Sequence, residues 1–417
     1  MDTFKLKTGM LIGTASAATQ IEGGELDHSW IDWSRKGHIA DGSSPARAND
    51  HFNRIEEDAA LMRCLGMQIC RMGVEWARVE PREGEYDEAA IGRYAEEIRL
   101  LESNGVKVLL TLHHFTNPMW FEAKGAFEKQ ENVTYYLRLV EKLVAAFGPL
   151  VNEYITINEP NVYAANGYMF GIWPPGEKSL LKTLKVMSVL KVAHIGAYRA
   201  IHRIRGEMGY HDTKVSFANH VRVFEPEDSG NIFHRFCAKT MERLFQGRLS
   251  EALYKPATYC DFIALNYYTR STVSGFRDGV RHGVPVNDLG WEIYPAGIVD
   301  CAKKMYGIRP MPIYITENGT CDSNDAFRCL YIYEHLKALC ESGLPIERYY
   351  HWCFCDNFEW AEGESARFGI VHVDYGTQAR TVKKSGEFLR AVIAAQGVDK
   401  PILGEYVQNQ QYHSNLP

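Results

Sequence analysis

The sequence of 417 residues predicts an α/β protein built as a single (β/α)8 TIM barrel. Short apolar or β-branched runs that end in polar residues alternate with longer segments of helical periodicity. Eight such pairs follow one another without a long linker, which favours one closed parallel barrel and one domain over residues 1–417. The competing doubly wound open sheet is disfavoured because neither G-x-G-x-x-G nor G-x-x-x-x-G-K occurs.

The predicted elements alternate along the whole chain. The strand runs, which are short and rich in β-branched residues, cover residues 10–20, 67–73, 106–114, 154–159, 214–220, 262–268, 313–317 and 348–352. The amphipathic helical segments cover residues 54–65, 88–103, 133–147, 180–205, 233–244, 296–305, 326–342 and 383–395.

Composition and charge exclude several classes of protein. The chain is 46% hydrophobic and 24% charged, so it can bury a large core and is not disordered. Its net charge of −6 provides no basic field for nucleic acid or anionic lipid. No run approaches the length of a membrane-spanning helix, and the apolar run near the N-terminus is too short for a signal peptide. With its ten dispersed cysteines interpreted as buried thiols, the sequence predicts a cytoplasmic protein.

Polar residues end the predicted strands. They are Gln20, Arg71, His114, Asn158, Glu159, Asn266, Tyr268, Glu317 and Trp352. Because barrel enzymes carry their catalytic side chains at the C-terminal ends of the strands, these residues indicate one shared active site there.

Two of these strand ends carry a carboxylate, Glu159 in Thr-Ile-Asn-Glu-Pro and Glu317 in Ile-Thr-Glu-Asn-Gly. A pair of carboxylates that face each other across a cavity is what cleavage of a glycosidic bond requires. The alternative is that both are ordinary surface acids, since the chain has 52 acidic residues. Their places at the fourth and seventh predicted strands favour the paired interpretation.

Nearly the whole chain resembles glycoside hydrolase family 1, the β-glucosidase family, which is built on a (β/α)8 barrel. The resemblance is carried by TINEP at 156–160, ITENG at 315–319 and DNFEW at 356–360 in combination. It extends to GTASAATQIEGG at 13–24, to Asp50-His51 with the acidic residues 56–58, and to RFG at 367–369.

The resemblance implies a catalytic role for five residues. Glu317 is the nucleophile and Glu159 the acid/base, which implies a retaining reaction and carboxyl groups about 5–5.5 Å apart. Arg71 pairs with the nucleophile and Tyr268 hydrogen-bonds to it, so Glu317 is expected to be ionised while Glu159 keeps its proton. Asn158 contacts the 2-hydroxyl group of the sugar. The alternatives are a structural ion pair for Arg71 and a half-buried core aromatic for Tyr268.

The resemblance also implies a set of sugar contacts. Gln20, His114, Glu359 and Trp360 bind the outer hydroxyl groups, Trp352 is the stacking platform, and Phe368 closes the far wall. The alternative for His114 is a satisfied core histidine. No metal-ligand spacing occurs among the histidines and cysteines, so no cofactor and no metal is predicted.

The sequence departs from the family pattern near the sugar and at the leaving-group side. Phe115 follows His114 where the family usually has tryptophan, and Trp173 stands where histidine is more common. Trp173 and Trp291 are candidate leaving-group contacts, although Trp173 could equally pack against its own Pro-rich loop. The stretches 221–259 and 270–289 look abbreviated, which predicts an open leaving-group side that accepts bulky aryl or plant-type aglycones.

The function predicted is that of an exo-acting retaining β-glycosidase, most simply a β-glucosidase with some galactosidase or fucosidase activity, acting on a small-molecule glycoside. The alternatives are a transglycosylase, a 6-phospho-β-glycosidase and, from another class, a non-catalytic sugar-binding barrel. Acidic residues at Glu359 and Glu362 disfavour the phosphorylated substrate, because they would repel phosphate. Whether the protein forms a homo-oligomer is left open.

Overall fold

The barrel strands and helices of the computed structural model lie in the order that the sequence predicts. The model describes residues 1–255 and 258–415. The eight barrel strands, β1 to β8, span Leu11–Ala15, Ile69–Gly73, Lys107–Thr111, Glu153–Asn158, Lys214–Pro226, Ile263–Ser274, Ile313–Asn318 and Ile346–Trp352. The eight helices that follow them, α1 to α8, span Ile55–Cys64, Glu88–Ser103, Val133–Phe147, Leu180–Glu207, Ile232–Glu242, Ala296–Ile308, Arg328–Glu341 and Lys384–Ala395.

The strands form a closed parallel barrel. Each strand pairs in parallel with the next one along the chain, and β8 pairs with β1, where Tyr349 lies opposite Ile12. Closure leaves no unpaired edge strand in the barrel. The predicted (β/α)8 fold is therefore confirmed, and all eight strand C-termini face the same end of the molecule.

The helices cover the outer surface of the barrel with their apolar faces. In α3, residues at helical spacing are buried, and they are Val133, Tyr136, Leu139, Val140, Leu143, Val144 and Phe147. Burying one such aliphatic side chain contributes about 1.5–3 kcal/mol. Every residue of β2, β4 and β7 is buried as well, as expected for parallel strands covered on both faces.

Strands β5 and β6 extend well beyond the ends that the sequence predicts. They continue to pair with each other up to Pro226 and Val273, above the barrel rim. The short strand Arg277–Gly279 then folds back antiparallel on β6. Parts of the stretches that look abbreviated in the sequence, 221–259 and 270–289, thus form a ribbon at the site end of the barrel, while residues 256 and 257 lie outside the described residues.

Shorter elements connect and close the barrel. Short strands pair as Phe4–Lys5 with Gly397–Val398, Val371–Val373 with Arg380–Val382, and Pro285–Val286 with His413–Ser414. Short helices span Ala18–Ile21, Ser29–Arg35, His51–Asn53, Trp76–Val79, Met119–Ala123, Ala126–Glu128, Gln130–Asn132, Pro160–Ala164, Ala165–Phe170, Arg243–Gly247, Arg248–Tyr254, Trp360–Glu362, Lys400–Ile402 and Leu403–Val407. Among the described residues, no helix is both long and apolar enough to cross a membrane. Most cysteines are buried, but Cys64 is exposed.

Candidate active site

The two predicted catalytic carboxyl groups lie at the C-terminal ends of β4 and β7 and are connected through Asn266. The amide nitrogen of Asn266 donates to Glu159 Oε1 at 2.8 Å and to Asn158 Oδ1 at 3.0 Å. Its amide oxygen accepts a hydrogen bond from Thr316, the residue before Glu317, at 2.7 Å. Asn266, on β6, therefore fixes the end of β4 relative to the end of β7.

Glu317 is held by one cationic and one neutral donor. Arg71 Nη1 donates to Oε1 at 2.6 Å, and the Tyr268 hydroxyl donates to Oε2 at 2.6 Å. Arg71 is fully buried, and its Nη2 also donates to Asn158 Oδ1 at 2.6 Å. Both contacts that the sequence predicts for Glu317 are present, and they orient both of its carboxyl oxygens.

The pKa of Glu317 reflects its burial as well as these two contacts. The pKa of Glu317 is raised to about 7, mainly by burial and also by the negative charge of Glu159, and Arg71 and Tyr268 oppose this rise. The prediction of an ionised Glu317 rests on the two stabilising contacts, and the cost of burying the charge opposes them. The contacts from Arg71 and Tyr268 therefore work against burial, and the pKa of Glu317 stays above its ordinary value.

Glu159 occupies a strained backbone position between β4 and the short helix Pro160–Ala164. Its φ of +40° lies in the left-handed region, which costs a non-glycine residue about 1–2 kcal/mol. Its backbone N–H donates to Ala218 on β5 at 2.8 Å, and Pro160 begins the helix. His220 Nδ1 lies 3.0 Å from Glu159 Oε1. These contacts hold the carboxyl group in place despite the strain, a situation that is common at active sites.

Gln20 and Glu359 lie together at the predicted sugar-binding end. Gln20 Nε2 donates to the backbone oxygen of Phe358 at 2.9 Å and to Glu359 Oε2 at 3.2 Å, and Trp352 Nε1 donates to the same Oε2 at 3.4 Å. Gln20 Oε1 is buried and has no hydrogen-bond partner among the described residues. A buried amide oxygen without a donor is costly, so this atom is suited to accept a ligand hydroxyl group.

Burial raises the pKa of Glu359 to about 8, and the charges of Glu317 and Glu159 raise it as well, while Trp352 and Gln20 lower it. Glu359 is therefore mostly protonated at neutral pH. A neutral Glu359 does not repel phosphate, so the argument from the sequence against a phosphorylated substrate is weaker at this residue.

The structure fixes the tautomer of His114. Asn158 Oδ1 accepts from Arg71 and Asn266, so its Nδ2 is the donor to His114 Nε2 at 2.9 Å. Burial lowers the pKa of His114 well below its ordinary value, and the positive charge of Arg71 lowers it further. The ring is neutral, with its hydrogen on Nδ1, which is buried and without a partner among the described residues. His114 is thus a donor available to a ligand and not a satisfied core histidine.

Aromatic rings form the walls of the pocket. Trp352 and Trp360 lie nearly parallel to His114, with ring centroids at 5.9 Å and 5.7 Å. Phe368 lies 5.9 Å from Trp291 and 6.5 Å from Tyr268 on the other side. The structure therefore brings together the aromatic residues that the sequence predicts, on both sides of the carboxyl groups.

Trp173 packs against the sugar-side wall. Its ring centroid lies 4.9 Å from Phe115, 5.4 Å from Trp30 and 5.8 Å from Trp360. The phenyl ring of Phe115 and the larger indole ring of Trp173 thus pack directly against each other. These partners lie outside the Pro-rich loop of Trp173, and its role as a leaving-group contact stays a prediction.

A cavity of about 300 Å³ opens beside Tyr268 and His220. Trp291 lines one part of it, and residues of the β5–β6 ribbon line the rest. These ribbon residues are Arg222, Thr269, Arg270, Ser271, Asp278, Gly279 and Val280. Neither carboxyl residue lines the cavity, but two residues that do line it contact them: Tyr268 contacts Glu317, and His220 contacts Glu159.

Sequence reasoning missed roles for Asn266 and His220. Asn266 is recognised as a polar strand end, but its bridging contacts depend on which strands become neighbours in the closed barrel. His220 ends the fifth predicted strand, and the carboxyl group it contacts is 61 positions away. Within residues 1–255 and 258–415, no three or more His, Cys, Asp or Glu side chains are grouped in a way that could hold a metal ion.

Comparison with known proteins connects this geometry to characterised relatives. The family model described as glycosyl hydrolase family 1 matches residues 2–279 and 251–398. "Beta-glucosidase A" of Thermotoga maritima is 30% identical over 96% of this chain and 100% of its own length. "Beta-galactosidase" of Pyrococcus woesei is 28% identical, over 95% of this chain and 99% of its own length.

Two solved structures are similar over nearly the full chain. "Beta-glycosidase from Pyrococcus horikoshii" has a TM-score of 0.89 at 31% identity and covers 100% of this chain and 99% of its own. "Beta-glucosidase from Thermotoga maritima in complex with glucoimidazole" has a TM-score of 0.86 at 29% identity, over 94% of this chain and 100% of its own.

Proposed function

Because this chain belongs to glycosyl hydrolase family 1 and is a β-glycosidase, we propose that it is a retaining, exo-acting β-glucosidase with Glu317 as nucleophile and Glu159 as acid/base. The observation that carries the proposal is that the two carboxyl groups have different hydrogen-bond partners. Glu317 accepts from the Arg71 guanidinium and a phenol, whereas Glu159 Oε1 is contacted by an amide and an imidazole.

This difference supports placing the negative charge on Glu317 and the acidic proton on Glu159. Two carboxyl groups that share a site lose their protons in two steps, because the second charge is opposed by the first. The single charge is best placed on Glu317, since only Glu317 contacts a cationic side chain. Glu159 then keeps the proton that the departing oxygen needs.

The reaction proceeds through a covalent glycosyl-enzyme. Glu317 attacks the anomeric carbon while the Glu159 proton passes to the glycosidic oxygen, whose bond to that carbon breaks. Bond formation removes the charge of Glu317, so Glu159 is free to ionise and to accept a proton from the attacking water. Water then releases the sugar with the anomeric configuration it started with.

The residues around Gln20 supply the sugar contacts of this proposal. Within the part of the chain that the structure describes, Gln20 Oε1 is a buried acceptor and His114 Nδ1 a buried donor without a partner, so sugar hydroxyl groups would satisfy both. Glu359 can donate as well as accept near neutral pH because its pKa is raised to about 8. Trp352 and Trp360 provide apolar faces for the sugar ring.

The cavity beside Tyr268 and His220 is proposed as the leaving-group site. Its aromatic residues, Tyr268 and Trp291, suit an aryl or plant-type aglycone, and its volume of about 300 Å³ leaves room for one. Comparison of cellobiose with large aryl β-glucosides tests this point. We expect turnover of the aryl substrates at least equal to that of cellobiose, and strict disaccharide specificity would contradict it.

Release of nitrophenol from a panel of aryl β-glycosides tests the function itself. The panel contains glucoside, galactoside, fucoside, mannoside, glucuronide and 6-phosphoglucoside, and Glu317→Ala serves as the blank. We expect turnover of neutral β-glycosides, led by the glucoside, which disappears in the variant. Binding of glucose without cleavage of any substrate would show that the pocket only recognises sugar.

A further inference from the structure

The two oxygens of the Glu159 carboxyl group have different surroundings. Oε1 lies 2.8 Å from the Asn266 amide nitrogen and 3.0 Å from His220 Nδ1. No donor from the described part of the chain lies within hydrogen-bond distance of Oε2. The protein therefore contacts one oxygen of Glu159 and leaves the other available to a substrate.

Arg222 determines which nitrogen of His220 carries the hydrogen. Arg222 Nη2 lies 3.2 Å from His220 Nε2. A guanidinium group can only donate, so Nε2 must accept. A ring that accepts at Nε2 is neutral and carries its hydrogen on Nδ1. His220 therefore donates from Nδ1 to Glu159 Oε1.

Both members of this pair are fixed by their surroundings. Arg222 Nη1 donates to Asp278 at 3.1 Å and to Ser271 at 3.2 Å, and its backbone N–H donates to Gln246 at 2.9 Å. The His220 ring lies parallel to that of Tyr268, at 5.8 Å and 17°. The direction of the Nδ1–H bond is thus set by the protein before substrate binds.

We propose that His220, with its tautomer fixed by Arg222, is a positioning residue that directs the acidic hydrogen of Glu159 onto Oε2. Two donors on Oε1 fill its lone pairs, so the hydrogen of the neutral acid must be on the other oxygen. During cleavage this hydrogen passes as a proton from Oε2 to the glycosidic oxygen, which keeps the electron pair of the breaking bond. The inference rests on the proposed role of Glu159 as acid.

Leaving groups of different acidity provide the test. The value of kcat/KM is measured with 2,4-dinitrophenyl β-D-glucoside, whose leaving group needs no proton, and with phenyl β-D-glucoside, whose leaving group does. General acid catalysis contributes about 10²–10⁴-fold, so loss of its positioning in His220→Phe is expected to cost about tenfold or more with the phenyl substrate. Because His220 also lines the leaving-group cavity, the readout is the ratio of the two values: kcat/KM for the phenyl substrate relative to the dinitrophenyl substrate is expected to fall about tenfold or more.

Two further variants separate positioning from packing. His220→Asn places an amide donor near the position of Nδ1 and is expected to recover most of the loss with phenyl glucoside. Arg222→Met keeps an apolar chain over Phe245 but frees the tautomer, so it is expected to show the same selective loss to a smaller extent.

Equal losses on both substrates in His220→Phe, or no loss on either, would overturn the proposal. A wild-type profile in Arg222→Met would overturn the part assigned to Arg222. Failure of the wild type to cleave even the dinitrophenyl substrate would instead contradict the proposed function, so the two failures are distinguishable.

Discussion

At the scale of single residues, the two hydrogen bonds to Glu317 have separable effects. Arg71 contributes a positive charge at 2.6 Å, while Tyr268 contributes a neutral donor at the same distance. Burial opposes both, and the pKa of Glu317 is raised to about 7. Since the proposed nucleophile must be ionised to attack, kcat/KM is expected to fall as the pH falls through about 7.

Tyr268→Phe removes one donor that favours the ionised form of Glu317. A hydrogen bond to a charged group contributes about 1.5–3 kcal/mol, so we expect the acidic limb of the kcat/KM profile to move to higher pH by about one to two units. Tyr267→Phe is the matched control, because the Tyr267 hydroxyl donates to the backbone oxygen of Tyr294 and touches neither carboxyl group. An unshifted limb in Tyr268→Phe would contradict the assigned contact.

At the scale of structural elements, the loop after β3 and the loop after β4 share one aromatic contact. Phe115 and Trp173 lie 4.9 Å apart between ring centroids, and both contact Trp360. The sequence indicates a changed residue at each of the two positions but not that they touch. The structure explains the two changes together, because a smaller ring at 115 leaves room for a larger one at 173.

Restoring tryptophan at position 115 tests this coupling. Phe115→Trp alone would overpack the contact, at a cost of about 1–3 kcal/mol in the free energy of unfolding, and would displace Trp360, which raises KM. Combining it with Trp173→His is expected to recover most of both losses. Chemical denaturation and KM for an aryl glucoside measure the effect, and strictly additive losses would show that the two positions act independently.

At the scale of the whole molecule, a buried ionic cluster connects the first two barrel helices, α1 and α2, to Arg380, which lies far from them in sequence. His51 Nδ1 lies 2.7 Å from Asp58 on α1, and His51 Nε2 lies 2.8 Å from Glu97 on α2. Asp58 also accepts from Arg380, near the C-terminus, at 3.0 Å. Burial alone lowers the pKa of His51, but Glu97 and Asp58 outweigh it and raise the pKa to about 10.

The raised pKa of His51 predicts a pH-dependent contribution to stability. Its ordinary pKa is about 6.5, so the stabilisation is fully present below that pH and is lost as the pH rises through about 10. We expect His51→Gln to lower the free energy of unfolding by about 3–5 kcal/mol at pH 6 and by less at pH 10.

Urea denaturation at several pH values measures this difference. His202→Gln is a suitable control, because His202 also pairs with a carboxylate, Asp261, but is one-third exposed. The contribution of such a partly exposed pair is expected to be small. A His51→Gln penalty that stays constant from pH 6 to pH 10 would contradict the charged state assigned to His51.

The sequence predicts periodic elements of this molecule better than contacts between them. Helices α2 and α3 begin and end at the predicted residues 88–103 and 133–147, because apolar spacing and terminal signals are local. The ribbon of β5 and β6 is longer than predicted because its pairing is between strands far apart in sequence. The contacts of Arg71 and Tyr268 with Glu317 also join residues far apart in sequence, so only the family resemblance implies them. The contacts of His220 and Asn266 with Glu159 are of the same kind, and nothing in the sequence predicts them.

The most direct test of the central claim is to trap the glycosyl-enzyme. The protein is incubated with 2,4-dinitrophenyl 2-deoxy-2-fluoro-β-D-glucoside, which slows both chemical steps but keeps a good leaving group. Mass spectrometry of the intact protein and of its peptides is expected to show one fluoroglucosyl group on Glu317, with activity lost in proportion. Activity that persists without an adduct, or an adduct on Glu159, would contradict the mechanism proposed for this β-glycosidase.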